Sequence, residues 1–318
     1  MLKMLKVSFY SYKGGSGRST TAWNTIYWLA QKMEPTATEP FVIVDTDTES
    51  AGSTFLYHAE TEFFKDQDYQ PLRSVQKRMT TDDEEKKNYD GASPREKADF
   101  FNSMLPIGGF FRQPPEAVRL IGVNLDKRTT VKADANTVAQ LNNFSYNIKT
   151  ACKSCGAKAL FFDTPSGTQP LAQRSVLDSD IIVCCMRPTS QFRAGTKGQL
   201  VDFVKCYGNA KTFILTPTAV CMRKEYLFGD PEKYPGQAKE DIWRQFSEDV
   251  DSELFRACVK LDMLPKNSDE FGIPEVDRFK WRESCLGRLD EKELTLNDRE
   301  AIARYDFLAD KILEYWNR

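Results

Sequence analysis

One run of ten residues, Ser11 to Thr20 (SYKGGSGRST), constrains this 318-residue chain more than any other. It follows a mostly apolar stretch, Leu5 to Tyr10, that reads as a short buried strand. It precedes Thr21 to Met33, which reads as a helix. Strand, glycine-rich turn and helix in that order form the setting a phosphate-binding loop needs. Gly14, Gly15 and Gly17 let the backbone turn so that successive N–H groups point into one concavity. The helix adds its unpaired first N–H groups and the positive end of its dipole. Ser19 stands where such a loop carries the hydroxyl for Mg²⁺. Against the pattern G-x-x-x-x-G-K-[ST], Tyr12 fills the first glycine position and Arg18 fills the lysine position.

Two further strands end in acids. Phe41 to Val44 runs into Asp45-Thr46-Asp47. In open parallel sheets, ligands gather beyond the carboxyl ends of the strands; a solvated turn with helix-capping acids is the alternative. Ala157 to Phe162 ends at Asp163, followed by Thr164-Pro165-Ser166-Gly167. A carboxylate emerging there can hold Mg²⁺, usually through water. Gly167 lets a loop approach a terminal phosphate.

The remaining pattern alternates. Ala117 to Leu125 reads as a strand, and a helix capped by Asp134 runs to about Cys155, with Gly156 as its stop. Asp180 to Cys185 reads as a strand, Ser190 to Tyr207 as a helix, and Lys211 to Leu215 as a strand entering Thr216-Pro217-Thr218. Gln237 to about Lys260 reads as a long helix, and Asp262 to Gly287 as a looser stretch. Leu296 to Trp316 reads as a closing amphipathic helix with Ile302, Leu308, Ile312 and Trp316 inward. The expected fold is α/β, a mostly parallel sheet with helices on both faces. The simplest partition is a single domain over 1–318, with a helical part at about 237–318. An insertion at about 58–115 carries the charge-dense run Asp82 to Lys87. It reads as a surface-lying excursion; a partner-binding surface is the alternative.

A net charge of −2 gives no overall bias toward nucleic acid or acidic membranes. No apolar run approaches the roughly 20 residues needed to span a bilayer. The first residues run into a strand without a signal-peptide pattern, so a cytoplasmic chain without membrane attachment is expected. Of the eight cysteines, Cys184 and Cys185 fall in a strand. Cys152 and Cys155 form a C-x-x-C without a second pair. They fit a helix face with Val138, Leu141 and Ile148, which favours core packing over metal or redox work.

Lys13-Gly14-Gly15-Ser16-Gly17-Arg18-Ser19-Thr20 resembles the deviant Walker A of the ParA/MinD family of P-loop ATPases, whose extra lysine corresponds to Lys13. VDTD at Val44 to Asp47 is similar to the family's switch I strand. FFDTPSG at Phe161 to Gly167 resembles its Walker B and switch II. FGIPEVDRFKWRES, Phe271 to Ser284, resembles the distal segment near the nucleotide base. The resemblance implies a P-loop NTPase fold and an ATP-dependent dimer switch with ATP/ADP and Mg²⁺ as cofactors, acting in DNA partition or cargo positioning. It implies that Lys13 reaches the partner subunit's phosphates and that Arg18 contacts the β- and γ-phosphates of its own subunit. Gly14 to Gly17 would cradle phosphate. Ser19 would bind Mg²⁺, and Thr20 a phosphate nearer the base. Asp47 would position the attacking water, Asp163 would support Mg²⁺, and Asp45 joins the metal set. Gly167, Thr216 and Pro217 join the nucleotide set.

Arg18 replaces a compact ammonium with a broad planar fork, which predicts retained ATP binding and slow hydrolysis. The alternative is a nucleotide-gated binding module that hydrolyses little and regulates a partner protein through residues 58–115. Arg187, Arg193 and Lys197 are candidates for non-specific DNA contact, with Lys127, Arg128 and Lys132 as a second cluster. The tail, Asp310 to Arg318, carries both signs of charge and lacks the basic amphipathic pattern of a membrane anchor.

Overall fold

The computed structural model describes residues 4–61, 75–80, 104–123, 134, 136–187, 189–207, 211–220, 260–263, 272–280 and 284–318. The chain divides into two compact units. Met1–Ser8 and Ala30–Ser179 form the first; Phe9–Leu29 and Asp180–Arg318 form the second. The division falls inside β1 (Leu5–Tyr10).

In the first unit, β2 (Phe41–Asp45) pairs in parallel with β4 (Val118–Ile121) and with β5 (Ala159–Asp163). The strand order is β3-β4-β2-β5, followed by the Leu5–Ser8 part of β1. Every residue of β2 and β5 is buried. Their continuous apolar sequences, FVIVD and ALFFD, are those of parallel strands covered on both faces. Each ends in an aspartate, and the register sets Asp45 opposite Asp163. β3 (Leu105–Pro106) is short and antiparallel to β4. Pro106 has no N–H to give a ladder and accordingly sits in this outer strand.

Among the described residues, the α-helices of this unit are α2 (Gly52–Thr61), α3 (Val75–Thr80), α4 (Thr137–Ser154) and α5 (Pro170–Asp178). Its core joins Val42, Val44, Leu160 and Phe162 of the strands to Phe144, Ile148 and Cys152 of α4. Val75, Met79 and Met104 belong to the same cluster, and Phe110 and Phe111 are buried as well. The described parts of the expected surface excursion thus supply core. Met104, Leu105, Ile107, Phe110 and Phe111 lie close together in sequence, but the charge run before them and the glycine and proline pairs around them point to a surface. The charge-dense run Asp82 to Lys87 lies outside the described residues.

α4 departs from its expected cap. Asn136 is the N-cap and makes no side-chain cap bond. Asp134 acts just upstream, where Oδ1 accepts from Asn136 N at 2.8 Å and Thr137 Oγ1 at 3.1 Å. Gly156 ends the helix at φ +64, and a Cβ there would stand 2.7 Å from the Thr38 carbonyl oxygen. Val138 is 69% exposed and leaves the apolar face that Ile148 and Cys152 keep. It lies in the first turn of α4, beyond the reach of the core.

In the second unit, the Phe9–Tyr10 end of β1 is followed by β6 (Ile181–Met186), β7 (Thr212–Pro217) and β8 (Lys260–Met263). β7 pairs in parallel with both β6 and β8. Lys260–Met263 was expected as a helix end and a loose stretch; pairing with β7 makes it a strand. The rest of that expected helix, 237–259, lies outside the described residues. α6 (Ser190–Tyr207) forms as expected, whereas α1 (Arg18–Met33) starts three residues before the expected Thr21 and takes in Arg18, Ser19 and Thr20. α7 (Leu296–Trp316) opens with a capping box: Thr295 Oγ1 accepts from Asp298 N at 3.2 Å, and Asp298 Oδ2 accepts from Thr295 N at 2.8 Å. Leu308 and Ile312 are buried, whereas Ile302 and Trp316 are only half-buried. Among the described residues, no helix is long and apolar enough to cross a membrane.

Candidate nucleotide site

The residues singled out by sequence fall into two groups, one in each unit. The first is the loop between β1 and α1. Gly15 and Gly17 adopt φ of +78 and +70, and a Cβ on either would meet nothing within 4 Å. The left-handed turns are therefore required by the backbone path and not by crowding. They leave open space where a bulky anion can approach. α1 has no acid in its first turn, so nothing of its own neutralises the positive end of its dipole there.

Four side chains fasten this loop. Thr218 Oγ1 donates to the Ser16 carbonyl oxygen. Arg187 Nε donates to the Gly15 carbonyl oxygen at 2.8 Å. Lys13 Nζ donates to Gln191 Oε1 at 2.9 Å and lies 5.9 Å from the centre of the Phe192 ring. Arg18 is buried, and its Nη1 donates to Ser11 Oγ at 3.2 Å. Gly14 is exposed, Ser16 and Thr20 are buried, and Ser19 is half-buried.

The loop opens into a cavity of about 240 Å³ lined by Gly15, Gly17, Thr20, Thr21, Arg187 and Thr218 together with Ile273, Pro274, Glu275, Val276, Phe279, Lys280 and Tyr305. Backbone bonds close the segment that carries the apolar wall. Ile273 N donates to Pro217 O at 2.8 Å, Val220 N to Ile273 O at 3.0 Å, and Glu275 N to Val220 O at 2.8 Å. Asn24 locks α1 to residues downstream. Its Nδ2 donates to Ser284 O at 3.1 Å, and its Oδ1 accepts from Leu286 N at 2.7 Å.

Thr216 and Pro217 end β7 opposite Cys185 and Met186 of β6 and do not line the cavity; Thr218, one step on, does. Sequence reasoning placed Arg187 with DNA, yet it lines this cavity. Lys197 is half-buried on α6. The Arg193 side chain and Lys127, Arg128 and Lys132 lie outside what is described. Tyr305 escaped the sequence reading because nothing in its local pattern separates it from other core positions of α7.

The second group sits where β2 and β5 end. Asp45 is fully buried. Its Oδ2 accepts from Thr54 N at 2.8 Å and Thr54 Oγ1 at 2.7 Å, and its Oδ1 accepts from Asp47 N at 3.1 Å. Burial pushes the Asp45 carboxyl well above the ordinary carboxylate range, and Asp163 adds to this, while the Thr54 bonds act in the opposite direction. Asp163 Oδ2 accepts from Ser53 Oγ at 2.7 Å. Its carbonyl oxygen accepts from Thr46 N at 2.8 Å and Thr46 Oγ1 at 3.0 Å. Asp47 Oδ1 accepts from Ser50 N at 3.0 Å. Ala51 holds φ +52, a conformation that costs a non-glycine residue about 1 kcal/mol. Gly167, at φ +73, turns the loop that follows β5.

The described residues group no three His, Cys, Asp or Glu side chains as a protein-only metal cage. The C-x-x-C pair is unsuited to metal or redox chemistry. Cys152 is buried, Cys155 Sγ donates to Cys152 O at 3.5 Å, and burial raises both thiols.

No family model matches the sequence, and no curated protein matches it. Solved structures do match. McdA of Cyanothece without nucleotide is 15% identical, with 98% of this chain and 100% of that chain covered and a TM-score of 0.59. A putative plasmid partition protein of Borrelia burgdorferi bound to AMPPNP is 13% identical, with 98% of each chain covered and a TM-score of 0.55. The septum site-determining protein MinD of Pyrococcus horikoshii, complexed with Mg-ADP, is 13% identical, with 99% of each chain covered and a TM-score of 0.53. Glycine loop, acid-tipped parallel strands and end-to-end structural likeness agree: the chain has the fold of the ParA/MinD P-loop ATPases.

Proposed function

We propose that the chain is a slow, Mg²⁺-dependent ATPase of the ParA/MinD type, whose ATP-bound form is a homodimer acting in DNA partition or cargo positioning. The observation that carries this reading is the loop from Ser11 to Thr20. Its two left-handed glycines and acid-free helix start open into a cavity of about 240 Å³ whose wall carries Val276, Phe279 and Tyr305. Backbone N–H groups of Gly14 to Ser19 would bind the phosphates, and Phe279, Val276 and Tyr305 would cover the base. Ser19, Asp47 and Asp163 would hold the metal, directly or through water. Mg²⁺, when bound, supplies charge neutralisation at the phosphates. Asp47 would orient water, and Lys13 would leave Gln191 to reach the partner's phosphates.

A second reading is a nucleotide-gated module that hydrolyses little. The observation that favours it is the position of Arg18, whose guanidinium is held on Ser11. Phosphoryl transfer depends on positioning, and a displacement of about 1 Å can cost on the order of 10²-fold in rate.

Molar mass by light scattering, with Mg²⁺ and either ADP or a non-hydrolysable ATP analogue, tests the dimer switch. The mass should double with the analogue alone, and Lys13→Ala should remain monomeric with it. An unchanged mass despite bound nucleotide defeats the switch. Parallel turnover measurements separate the slow ATPase from the silent module. DNA binding, if present, should appear with the analogue and fall steeply with salt.

A further inference from the structure

The three acids at the ends of β2 and β5 are not equivalent. A carboxylate oxygen offers about two good acceptor sites. Both sites of Asp45 Oδ2 are filled from one residue, by Thr54 N at 2.8 Å and Thr54 Oγ1 at 2.7 Å. Asp45 Oδ1 takes the N–H of Asp47 at 3.1 Å. Thr54 Oγ1 also accepts from Val123 N at 3.0 Å, just past β4. Thr54 thus fixes Asp45 while being fixed itself from a different strand end. The neighbouring Ser53 Oγ donates to Asp163 Oδ2 at 2.7 Å. Two consecutive hydroxyls at the start of α2 therefore hold the two facing carboxylates. A metal bond to Asp45 Oδ2 would have to displace at least one of the two Thr54 contacts.

We propose that Asp45 is not a metal ligand but the anchor of the turn that presents Asp47, and that Thr54 is the positioning residue that sets this anchor. The proposal deepens the ATPase reading above and rests on it for its kinetic consequences. The anchor itself is a property of the nucleotide-free chain. Asp45 holds the Asp47 backbone from one side, and Ser50 N holds the Asp47 carboxylate from the other. Releasing Asp45 frees the turn at its first bond and moves the carboxylate that would orient water. Ground-state nucleotide binding, which the glycine loop provides, should change little. Such a residue alters turnover more than KM.

The test uses the full chain with Thr54→Val, Thr54→Ser and Asp45→Asn. Hydrogen exchange without nucleotide reads the turn. Thr54→Val should speed exchange of the 46–52 amides by about tenfold, and Thr54→Ser should restore protection, as loss of one buried hydrogen bond implies. With ATP, Thr54→Val should lower turnover by roughly tenfold or more with KM within about twofold, and Thr54→Ser should recover it. Binding of a fluorescent ATP analogue, titrated with Mg²⁺, reads the metal. Asp45→Asn should leave the half-saturating Mg²⁺ concentration within about threefold of wild type, whereas a lost ligand would raise it by tenfold or more. That rise overturns the anchor, and so does unchanged exchange in Thr54→Val. If the wild-type chain binds no analogue, the ATPase reading fails, and the exchange experiment still decides the anchor.

Discussion

The ring of Tyr12 occupies the space that a side chain at Gly195 would need: a Cβ built there would lie 2.0 Å from Tyr12 Cε1. Tyr12 stands in the first glycine position of the phosphate loop, and Gly195 lies within α6. A glycine inside a helix costs about 1 kcal/mol relative to alanine, and Tyr12 accounts for its presence here. Gly198, three residues on, has nothing within 4 Å. Gly198→Ala should therefore stabilise the chain by roughly 0.5–1 kcal/mol in urea unfolding. Gly195→Ala should show that gain only in a Tyr12→Ala background. Equal gains in both backgrounds would mean that the ring yields freely.

Thr218→Val removes the donor to the Ser16 carbonyl oxygen while keeping the side chain's volume. The loop should lose one fastening worth about 1 kcal/mol, seen as a roughly fivefold weaker ATP-analogue affinity in a fluorescence titration. Thr218→Ser should keep wild-type affinity. A Val variant that binds as tightly as wild type would show that the Arg187, Lys13 and Arg18 bonds suffice to hold the loop.

Arg18→Lys puts a compact ammonium where a broad fork now reaches Ser11. Turnover of ATP should rise, by about tenfold or more, with little change in nucleotide affinity. A phosphate-release assay checks it, and an unchanged rate would show that fork geometry does not limit turnover.

Thiol chemistry offers an independent check on packing. Cys206 is exposed, whereas Cys152 and Cys184 are buried and their thiols are raised by burial. A raised thiol stays protonated at pH 8, and the thiolate is the reactive form. Maleimide at that pH should therefore label Cys206 well before Cys152 and Cys184 in peptide mapping, and leave those two unmodified until the chain unfolds. Early modification of Cys152 would contradict the core around α4.

The legible parts of the sequence were those where local pattern and tertiary role coincide. β2 and β5 announce themselves because an apolar run ends in an acid, and the structure sets Asp45 against Asp163. α6 appears with its expected limits. Other features depend on partners distant in sequence. β8 is a strand because β7 lies beside it, and the four residues Lys260–Met263 carry too little pattern of their own. Met104 and Phe111 belong to an apolar stretch set between the charge-dense run and paired prolines, and only their burial shows that they enter the core. Arg187 was assigned by charge alone, and charge does not reveal that its Nε reaches the Gly15 carbonyl oxygen. The same limit hid Thr54, since a threonine nine residues after an aspartate has no local signature.

The hydroxyl group beneath the acid-tipped strands carries a consequence of its own. Ser8 Oγ is within reach of Ser175 O and Ser179 Oγ, and Ser179 Oγ of Ser175 O. Ser175 Oγ reaches Leu171 O, and Thr46 Oγ1 reaches both Asp163 O and Ser175 Oγ. Each hydroxyl has one proton, and together they face more acceptors than protons. Several proton arrangements therefore share one set of heavy-atom positions, as in ice. The interior beside Asp163 keeps a residual orientational entropy after every atom heavier than hydrogen is fixed. A change of charge at the strand ends can be answered there by turning O–H bonds, with the backbone left in place.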